Sequence, residues 1–288
     1  MNYCLSDGEI ERFMEEDVPY GDLTSHLLGL GRKPGRIVFS TREETTLCCS
    51  EEAARVLKKC GATVTSYMPS GTKLSSGIEF LAADGPVHAL HAGWKVALNL
   101  LEYASGIASR TQRIVQKTKA VNPALSVVTT RKSFPGTKKI AIKAITAGGA
   151  LPHRLGLSET LLVFKQHTAF LGGLEAFLGT IAELRLKARE TKIIVEADTV
   201  EEALLVALSG ADIVQLDKIT PAELADTVRA IRDVNPNILI SAAGGIDESN
   251  AEEYASTGID IIVLSSVYFG KPSDIGVDIQ PVLLACHD

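Results

Sequence analysis

No run of apolar residues in this sequence approaches the roughly 18 that a membrane-spanning helix needs, so we expect no transmembrane segment. We expect no secretory signal peptide either, because the segment MNYCLSDGEIERFMEED is acidic and lacks a basic start followed by an apolar run. Positive charge is scarce: 29 lysines and arginines stand against 35 aspartates and glutamates, for a net charge of -6. A general nucleic-acid-binding surface is therefore disfavoured, and any anion site has to be a local basic cluster.

Cysteine is also sparse, and its pattern fits no metal or disulfide scaffold. The five cysteines are odd in number and none has CxxC spacing, so neither a zinc site nor a disulfide framework is favoured. They are Cys4, Cys48, Cys49, Cys60 and Cys286. This usage predicts a protein of the reducing cytoplasm.

Two glycine-rich signatures of nucleotide binding are missing. Neither GxGxxG nor GxxxxGK(S/T) occurs, so dinucleotide-binding and Walker-type sites lose their main support. With 288 residues, of which 45% are hydrophobic, the chain can still bury a sizeable core. It is long enough for two domains or for one large barrel with an extra layer.

The first part of the chain is predicted to form an α+β layer followed by a long helix. Short segments of β character cover residues 36–40, 63–68 and 87–90, and they alternate with turn signals such as Asp84-Gly85-Pro86. One helix is predicted between them, over residues 51–59. A second helical stretch runs from about Trp94 to Lys119, and we expect Ser105-Gly106 to bend or break it.

After Asn122 strands and helices alternate. The predicted strands cover residues 126–130, 160–164, 193–195, 213–216, 238–241 and 261–264. Helices are predicted over 138–147 and 174–190 and after cap signals at Thr199, Thr220 and Ser249. Near-continuous apolar strands in such an alternation indicate a parallel sheet, in either a (β/α) barrel or an open doubly wound sheet.

Charged residues and a glycine pair stand where these strands end. The basic strand ends are Arg131-Lys132 and Lys165, with His153-Arg154 between them. The acidic ends are Glu196 and Asp217, and bare backbone follows at Ala243-Gly244-Gly245-Ile246. Barrel enzymes assemble their sites from the carboxyl ends of several strands, so the distributed charges favour a TIM-like (β/α) barrel, which we expect to be incomplete, with an amino-terminal α+β sandwich domain. Each residue alone has a plainer interpretation, such as a solvated loop charge or a helix cap.

Several motifs of this chain resemble, in order, the signature of quinolinate phosphoribosyltransferases, and the resemblance covers nearly the whole sequence. In the second half they are TTRKSFPG at 129–136, HRLGL at 153–157, VEA at 195–197, LDK at 216–218 and AGGI at 243–246. Upstream they are ED at 16–17, GDLT at 21–24, ALN at 97–99 and SGIA at 105–108. The resemblance implies an amino-terminal α+β domain over residues 1–105, joined by 271–288, and a barrel phosphoribosyltransferase domain over 106–270.

The resemblance also implies an activity. That family is a group of pentosyltransferases, the nicotinate-nucleotide diphosphorylases, which join a pyridine carboxylate to phosphoribosyl pyrophosphate in the presence of Mg²⁺ and release pyrophosphate. By analogy, the substrate acid would be bound by Arg131, His153, Arg154 and Lys165. Lys132 would lie near substrate and phosphates, and Glu196 and Asp217 would hold Mg²⁺ and the ribose hydroxyls. The 5′-phosphate would be received by Ala243, Gly244, Gly245, Ser265 and Ser266.

The departures from the family pattern collect on the acceptor and ribose side. Lys95 stands where the family has an arginine that reaches the neighbouring subunit's site, and lysine keeps the charge but loses the bidentate fork. Thr130 replaces an aspartate, and Lys165-Gln166-His167 and Leu216-Asp217-Lys218 also differ from the family motifs. These departures resemble the ModD branch, the pyrophosphorylase-like proteins associated with molybdate-transport genes. The sequence therefore leaves open whether quinolinate itself is the acceptor.

Two functions remain open from the sequence. One is a phosphoribosyltransferase acting on a nitrogen-heterocycle acid, and the other is a non-catalytic oxyanion-binding or sensing protein linked to molybdate transport. Retention of both Glu196 and Asp217 favours the enzyme, because two carboxylates would repel a simple oxyanion. If Lys95 acts as the family arginine does, the functional unit is at least a homodimer with a shared site, or a hexamer built of dimers.

Overall fold

The computed structural model describes residues 3–282, so Cys286 lies outside the described residues. The chain divides into two compact units. The amino-terminal unit comprises Met1–Gln112, Phe134–Gly148 and Phe269–Asp288, and the barrel unit comprises Arg113–Ser133 and Gly149–Tyr268. Among the described helices, none is long and apolar enough to cross a membrane.

The strands and helices are numbered along the chain. The strands are β1 (Pro34–Thr41), β2 (Thr45–Thr46), β3 (Thr63–Tyr67), β4 (Lys73–Leu74), β5 (Glu79–Pro86), β6 (Ser126–Thr129), β7 (Leu151–Pro152), β8 (Leu161–Val163), β9 (Ile193–Ala197), β10 (Ile213–Asp217), β11 (Leu239–Ala243), β12 (Ile261–Leu264) and β13 (Ile275–Pro281). The helices are α1 (Asp7–Asp17), α2 (Leu23–Leu27), α3 (Ser50–Lys59), α4 (Val87–Val121), α5 (Lys138–Ala147), α6 (Lys165–Thr168), α7 (Leu174–Leu178), α8 (Ile181–Lys187), α9 (Val200–Leu208), α10 (Pro221–Val234) and α11 (Ala251–Ala255), with a 3₁₀ turn at Ser266–Tyr268.

The amino-terminal unit is built on a four-stranded antiparallel sheet in the order β13-β1-β5-β3. Ile37 and Phe39 alternate with more exposed residues along β1 and are fully buried, as expected for a strand with one covered face. Helix α3 presents Val56 and Leu57, both fully buried. A small pair, β2 with β4, completes the strands of this unit.

The barrel unit contains a seven-stranded parallel sheet in the order β7-β6-β12-β11-β10-β9-β8. The neighbours β7 and β8 in the chain lie at opposite edges of the sheet, so it is an open half barrel rather than a closed one. Its central strands are buried almost throughout, as in β10 and β11, which is typical of a sheet covered on both faces. The prediction of an incomplete (β/α) barrel with an amino-terminal α+β layer is confirmed.

Three local predictions were wrong. Residues 87–90 begin helix α4 rather than forming a strand, and the strand is β5, which runs through Asp84-Gly85-Pro86. Gly85 was interpreted as a turn signal, but a Cβ there would lie 3.0 Å from the Ala62 Cα, so the glycine allows two backbones to approach closely. The helix predicted over residues 174–190 is two helices, α7 and α8, interrupted at Gly179-Thr180.

Helix α4 is also unbroken at Ser105-Gly106, contrary to prediction. A Cβ on Gly106 would lie 2.9 Å from the Lys271 carbonyl oxygen and 3.0 Å from the Pro272 Cα. The Ser105 hydroxyl accepts a hydrogen bond of 2.9 Å from the Cys48 backbone N–H. Gly106 therefore allows close packing, and Ser105 provides a hydrogen-bond acceptor for a backbone N–H. The helix tolerates the glycine at a cost of about 1 kcal/mol.

Candidate active site

The parallel register of the half barrel brings the polar strand ends side by side. Glu196 on β9 is paired with Gln215 on β10, and Asp217 at the end of β10 is paired with Ala243 at the end of β11. Side chains two residues apart on a strand share a face, so Gln215 and Asp217 lie on the same face as Glu196. A cavity of about 660 Å³ opens at this edge of the sheet.

Most of the residues predicted for the site line this one cavity. They are Arg131, Lys132, His153, Arg154, Glu196, Asp217, Ala243, Gly244, Gly245, Ser265 and Ser266. The structure therefore brings together the basic cluster, the carboxylate pair and the glycine pair, which lie in or just after the carboxyl ends of five different strands. The role of each residue in catalysis or binding stays a prediction.

The basic side of the cavity brings several like charges together. Burial, and then the charge of Arg154, lowers the pKa of His153, so the imidazole is neutral near pH 7. Burial and the nearby charge of Arg131 likewise lower the pKa of Arg154. His153 is fixed by its backbone N–H, which donates to the Thr129 carbonyl oxygen at 2.9 Å. Like charges held together in a half-buried place favour the binding of an anion, which would relieve their repulsion.

The acidic side consists of Glu196 and Asp217. Burial, and then the charge of Asp217, raises the pKa of Glu196, while a hydrogen bond of 3.1 Å from the Gln215 Nε2 to its Oε2 opposes that rise. Asp217 Oδ2 lies 3.4 Å from the Lys218 Nζ, and that lysine is 79% exposed. The carboxylates are thus close enough to repel one another, and a cation between them would lower that repulsion.

The donor set fits Mg²⁺ better than a self-contained protein metal site. Within residues 3–282 no group of three or more His, Cys, Asp and Glu could hold a metal ion. Mg²⁺ commonly uses only one or two carboxylates and completes its coordination with water and substrate phosphates. Glu196 and Asp217 supply that number of hard oxygen ligands in one cavity.

The turn after β11 depends on its glycines for different reasons. Gly244 has φ +85°, and a Cβ there would lie 2.6 Å from the Lys218 Cγ and 2.7 Å from the Asp217 Oδ1. Gly245 has φ +70° but would meet nothing within 4 Å. The turn is closed by Ser266, whose hydroxyl donates to the Ile246 carbonyl oxygen at 2.9 Å. Such a turn leaves little side-chain bulk near its amides, as a phosphate-binding turn requires.

Two predicted site residues lie outside the cavity lining. Lys165 is the first residue of the short helix α6, is 71% exposed, and its Nζ pairs with the Asp198 Oδ2 at 2.9 Å. Asp198 is the main cause of the raised pKa of Lys165. Both residues border a smaller cavity of about 90 Å³ together with Glu196, so Lys165 remains next to the acidic side. Lys95 belongs to the amino-terminal unit, where its Nζ lies 5.4 Å from the centroid of the Trp94 ring.

Sequence reasoning missed Gln215. This residue lines the cavity, is only 5% exposed and donates to Glu196. It was counted as part of the apolar run of β10. A polar side chain in the middle of a buried strand was the available signal, because such a group has to find hydrogen-bond partners in the interior.

The fold of this chain is shared with solved enzyme structures. NadC of Streptococcus pyogenes superimposes with a TM-score of 0.86 at 24% identity, covering 97% of this chain and 99% of that one. The nicotinate-nucleotide pyrophosphorylase of Francisella tularensis superimposes with a TM-score of 0.86 at 22% identity, covering 96% and 98%. At these identities the similarity establishes the fold, which is that of the nicotinate-nucleotide pyrophosphorylases.

Sequence comparison establishes the family. Residues 22–105 match the amino-terminal domain and residues 107–278 the carboxyl-terminal domain of quinolinate phosphoribosyl transferase. The ModD protein of Rhodobacter capsulatus is 43% identical over 251 residues, covering 86% of this chain and 95% of that protein. ModD of Pasteurella multocida is 38% identical over 276 residues, covering 96% and 98%. The chain belongs to the quinolinate phosphoribosyl transferase family, and the predicted resemblance to its ModD members is confirmed.

Proposed function

We propose that this protein transfers a phosphoribosyl group from phosphoribosyl pyrophosphate to the ring nitrogen of an anionic heterocycle and releases pyrophosphate. The observation that carries the proposal is a single cavity at the strand ends that contains both a basic cluster and a carboxylate pair. A multiply charged donor, an anionic acceptor and a cation-like ribosyl transition state need both kinds of charge in one place. Membership of the family supplies the reaction class.

The division of charge suggests how the reaction is promoted. The lone pair of the ring nitrogen forms the new bond to C1′ of the ribose while the C1′–O bond to pyrophosphate breaks, and the leaving group carries away the electron pair. Lys132, Arg131 and Arg154 would stabilise the negative charge that builds on pyrophosphate and on the acceptor. Glu196 and Asp217 would hold the ribose hydroxyls and Mg²⁺, which when bound neutralises phosphate charge. The protein's contribution is then mainly positioning and electrostatic stabilisation.

The acceptor is where this protein would differ from quinolinate-specific members of the family. Lys95 replaces a bidentate arginine, and Lys165 is paired with Asp198 rather than exposed to the main cavity. We infer an acceptor other than a pyridine dicarboxylate, used in the cytoplasm. We further propose a functional link to molybdate transport, which only the resemblance to the ModD branch implies.

A non-catalytic oxyanion-binding protein is disfavoured by the cavity itself. Glu196 and Asp217 share the lining with the basic residues, and they would repel a free oxyanion. An enzyme that holds a cation-like transition state has a use for both carboxylates.

A direct experiment is to incubate the full-length protein with Mg²⁺, phosphoribosyl pyrophosphate and a panel of nitrogen-heterocycle acids while following pyrophosphate. We expect release that depends on the acceptor and on Mg²⁺. Glu196→Ala and Asp217→Ala should each lower turnover by at least about 100-fold with unchanged thermal unfolding, because each removes a group that acts on the transition state. Tight molybdate or phosphate binding without any acceptor-dependent release would instead support the binding protein.

A further inference from the structure

Lys218, a residue of the cavity lining, has a left-handed backbone although it is not a glycine. Its φ is +59°, and within residues 3–282 only Cys49 among the other non-glycine residues has a positive φ. An L residue rarely adopts this conformation, and such outliers cluster at functional sites, where the surrounding contacts hold them. Lys218 is also one of the positions at which the chain departs from the family pattern.

Contacts of the backbone and of the side chain fix this lysine beside the glycine turn after β11. Its backbone N–H donates to the Ala243 carbonyl oxygen at 2.8 Å. Its side chain passes close to Gly244, because a Cβ on that glycine would lie 2.6 Å from the Lys218 Cγ. The Nζ lies 3.4 Å from the Asp217 Oδ2, and the side chain is largely exposed. The left-handed conformation therefore places an accessible cation next to the turn.

A phosphate bound at this turn needs such a cation because a carboxylate stands beside it. The same Cβ on Gly244 would lie 2.7 Å from the Asp217 Oδ1, so a phosphate at the amides of the turn would be close to that negative charge. Like charges this close repel one another. The Lys218 ammonium offsets the repulsion, and its three N–H groups allow it to pair with Asp217 and to donate to a phosphate at the same time.

The other lysine and arginine residues of the cavity lining follow strands that lie farther from the turn. Arg131 and Lys132 follow β6, and Arg154 follows β7. Both strands lie on the far side of β12 in the sheet, whereas β10, which Lys218 directly follows, pairs with β11. Neighbouring strands are about 4.8 Å apart, so β6 lies roughly 10 Å from β11. Within the described part of the lining, Lys218 is therefore the cation nearest to the turn by strand order.

We propose that Lys218 binds the 5′-phosphate of the donor together with the backbone amides of Gly244 and Gly245, while Asp217 holds its ammonium in place. The inference rests on the proposed phosphoribosyl transfer and deepens it, because it assigns a phosphate ligand to a position where the chain differs from the family pattern. The chemistry recognised is that of a phosphate monoester. Pyrophosphate is the other phosphate of the reaction, but the contact of the lysine stem with Gly244 favours the group expected at this turn.

Direct binding of two phosphates tests the assignment. Ribose 5-phosphate and pyrophosphate are titrated calorimetrically into the full-length protein at about 0.15 M salt. Mg²⁺ is left out so that metal binding does not contribute. Lys218→Met keeps the apolar stem but removes the charge, so it should weaken ribose 5-phosphate binding at least about 10-fold through loss of a charge-assisted hydrogen bond. Pyrophosphate binding should change less than about 3-fold, because the distant charge is screened. Lys218→Arg keeps the charge and should bind ribose 5-phosphate within about 3-fold of the wild-type affinity.

Two further variants separate this role from simpler ones. Lys192 is also an exposed lysine paired with an aspartate, 3.3 Å from Asp212, but it precedes β9 and so lies at the opposite edge of the sheet. Lys192→Met should leave both affinities unchanged. Lys218→Asn removes the charge and suits the left-handed backbone, which asparagine adopts more readily than lysine. It should lose ribose 5-phosphate binding as Lys218→Met does, and thermal unfolding verifies that each variant folds.

Several outcomes would overturn the inference. If Lys218→Asn binds ribose 5-phosphate like the wild-type protein, the residue serves only the backbone of the turn. If pyrophosphate binding falls as much as ribose 5-phosphate binding, or if Lys192→Met causes an equal loss, only the total charge matters. Absence of ribose 5-phosphate binding to the wild-type protein would also contradict the assignment.

Failure of the proposed function has a different signature. In that case ribose 5-phosphate would bind with an affinity that depends on Lys218, but no acid of the panel would release pyrophosphate. If acceptor-dependent release occurs while Lys218→Met binds ribose 5-phosphate as tightly as the wild-type protein, the transfer reaction stands and the assignment of Lys218 falls.

Discussion

At the scale of single residues, Gly244 and Gly245 form a pair in the sequence but have different surroundings. Both have positive φ, which an alanine adopts at a cost of about 1 kcal/mol. Only Gly244 is sterically restricted, because a Cβ there would collide with Asp217 and Lys218. The sequence pattern predicted a phosphate-binding turn, but it could not show that Gly244 also makes room for a carboxylate of the site.

This difference predicts unequal effects of two alanine substitutions. Gly245→Ala should destabilise the protein by about 1 kcal/mol, the strain of a left-handed alanine. Gly244→Ala carries the same strain and must also displace Asp217, so it should weaken Mg²⁺-dependent binding of phosphoribosyl pyrophosphate about 10-fold more than Gly245→Ala does. Calorimetric titration and chemical unfolding measure the two effects. Equal donor affinities in the two variants would contradict the role given to Asp217.

The sequence could predict those site residues that carry a charge at the end of a strand. Arg131, Arg154 and Asp217 were recognised as charges at strand ends, and the open parallel sheet brings strand ends to one edge. Lys165 was recognised by the same rule, but helix α6 begins at that residue and the side chain pairs with Asp198. Gln215 carries no charge, so only its burial and its contact with Glu196 reveal it.

At the scale of secondary-structure elements, helices α3 and α5 are joined by a buried ion cluster. Lys143 on α5 places its Nζ 2.9 Å from the Glu51 Oε2 and 2.5 Å from the Glu52 Oε2 on α3. The Glu52 side chain is fully buried. Burial by itself would raise the pKa of Glu51, but hydrogen bonds from Ser70 and Lys143 outweigh it and lower that pKa to about 2.

Removing Lys143 should therefore be far more damaging than removing an exposed lysine of the same helix. Lys143→Met leaves a buried carboxylate unpaired, and we expect a loss of about 3 to 5 kcal/mol in the free energy of unfolding. Lys139→Met is the matched control, because Lys139 is 57% exposed and its pair with Glu9 contributes at most about 1 kcal/mol. Denaturant titrations of both variants measure these losses in the free energy of unfolding. Similar losses in the two variants would show that the cluster does not stabilise the unit.

The same cluster determines in which direction the stability of the fold changes with pH. The folded-state pKa of Glu51 lies below its ordinary value of 4.5, so its contribution is complete above that value and is lost as the pH falls toward 2. Between the wild-type protein and Glu51→Gln, the variant should lose less stability as the pH falls through this acidic range.

The misinterpreted elements share one physical cause. Gly85 and Gly106 were interpreted as breaks because glycine weakens regular structure, but in both places the missing side chain admits another backbone. A local sequence pattern contains no information about a distant segment such as the one at Lys271, so these positions could not be recognised without the fold.

At the scale of the whole molecule, the alternation of strands and helices predicted a parallel sheet, and the charges at several strand ends favoured an incomplete barrel over an open doubly wound sheet. The proposed assembly goes further. We propose a homodimer in which Lys95 reaches the partner's site, or a hexamer built of such dimers.

Mixing two inactive variants tests whether the site is shared. Lys95→Ala and Glu196→Ala, dissociated and reassembled together, should recover about a quarter of wild-type activity, because half of the dimers are mixed and each mixed dimer has one intact site. Each variant reassembled alone is the control and should remain inactive. No recovery from a mixture shown to contain mixed dimers would contradict a shared site.

The most direct test of the central claim is to count products of one reaction. Pyrophosphate and the phosphoribosylated heterocycle are quantified together after incubation of the wild-type protein and Glu196→Gln with Mg²⁺, phosphoribosyl pyrophosphate and an acceptor from the panel. We predict the two products in equal amounts from the wild-type protein and a loss of both in Glu196→Gln. Pyrophosphate without a ribosylated product, or equal yields from both proteins, would contradict phosphoribosyl transfer at this cavity.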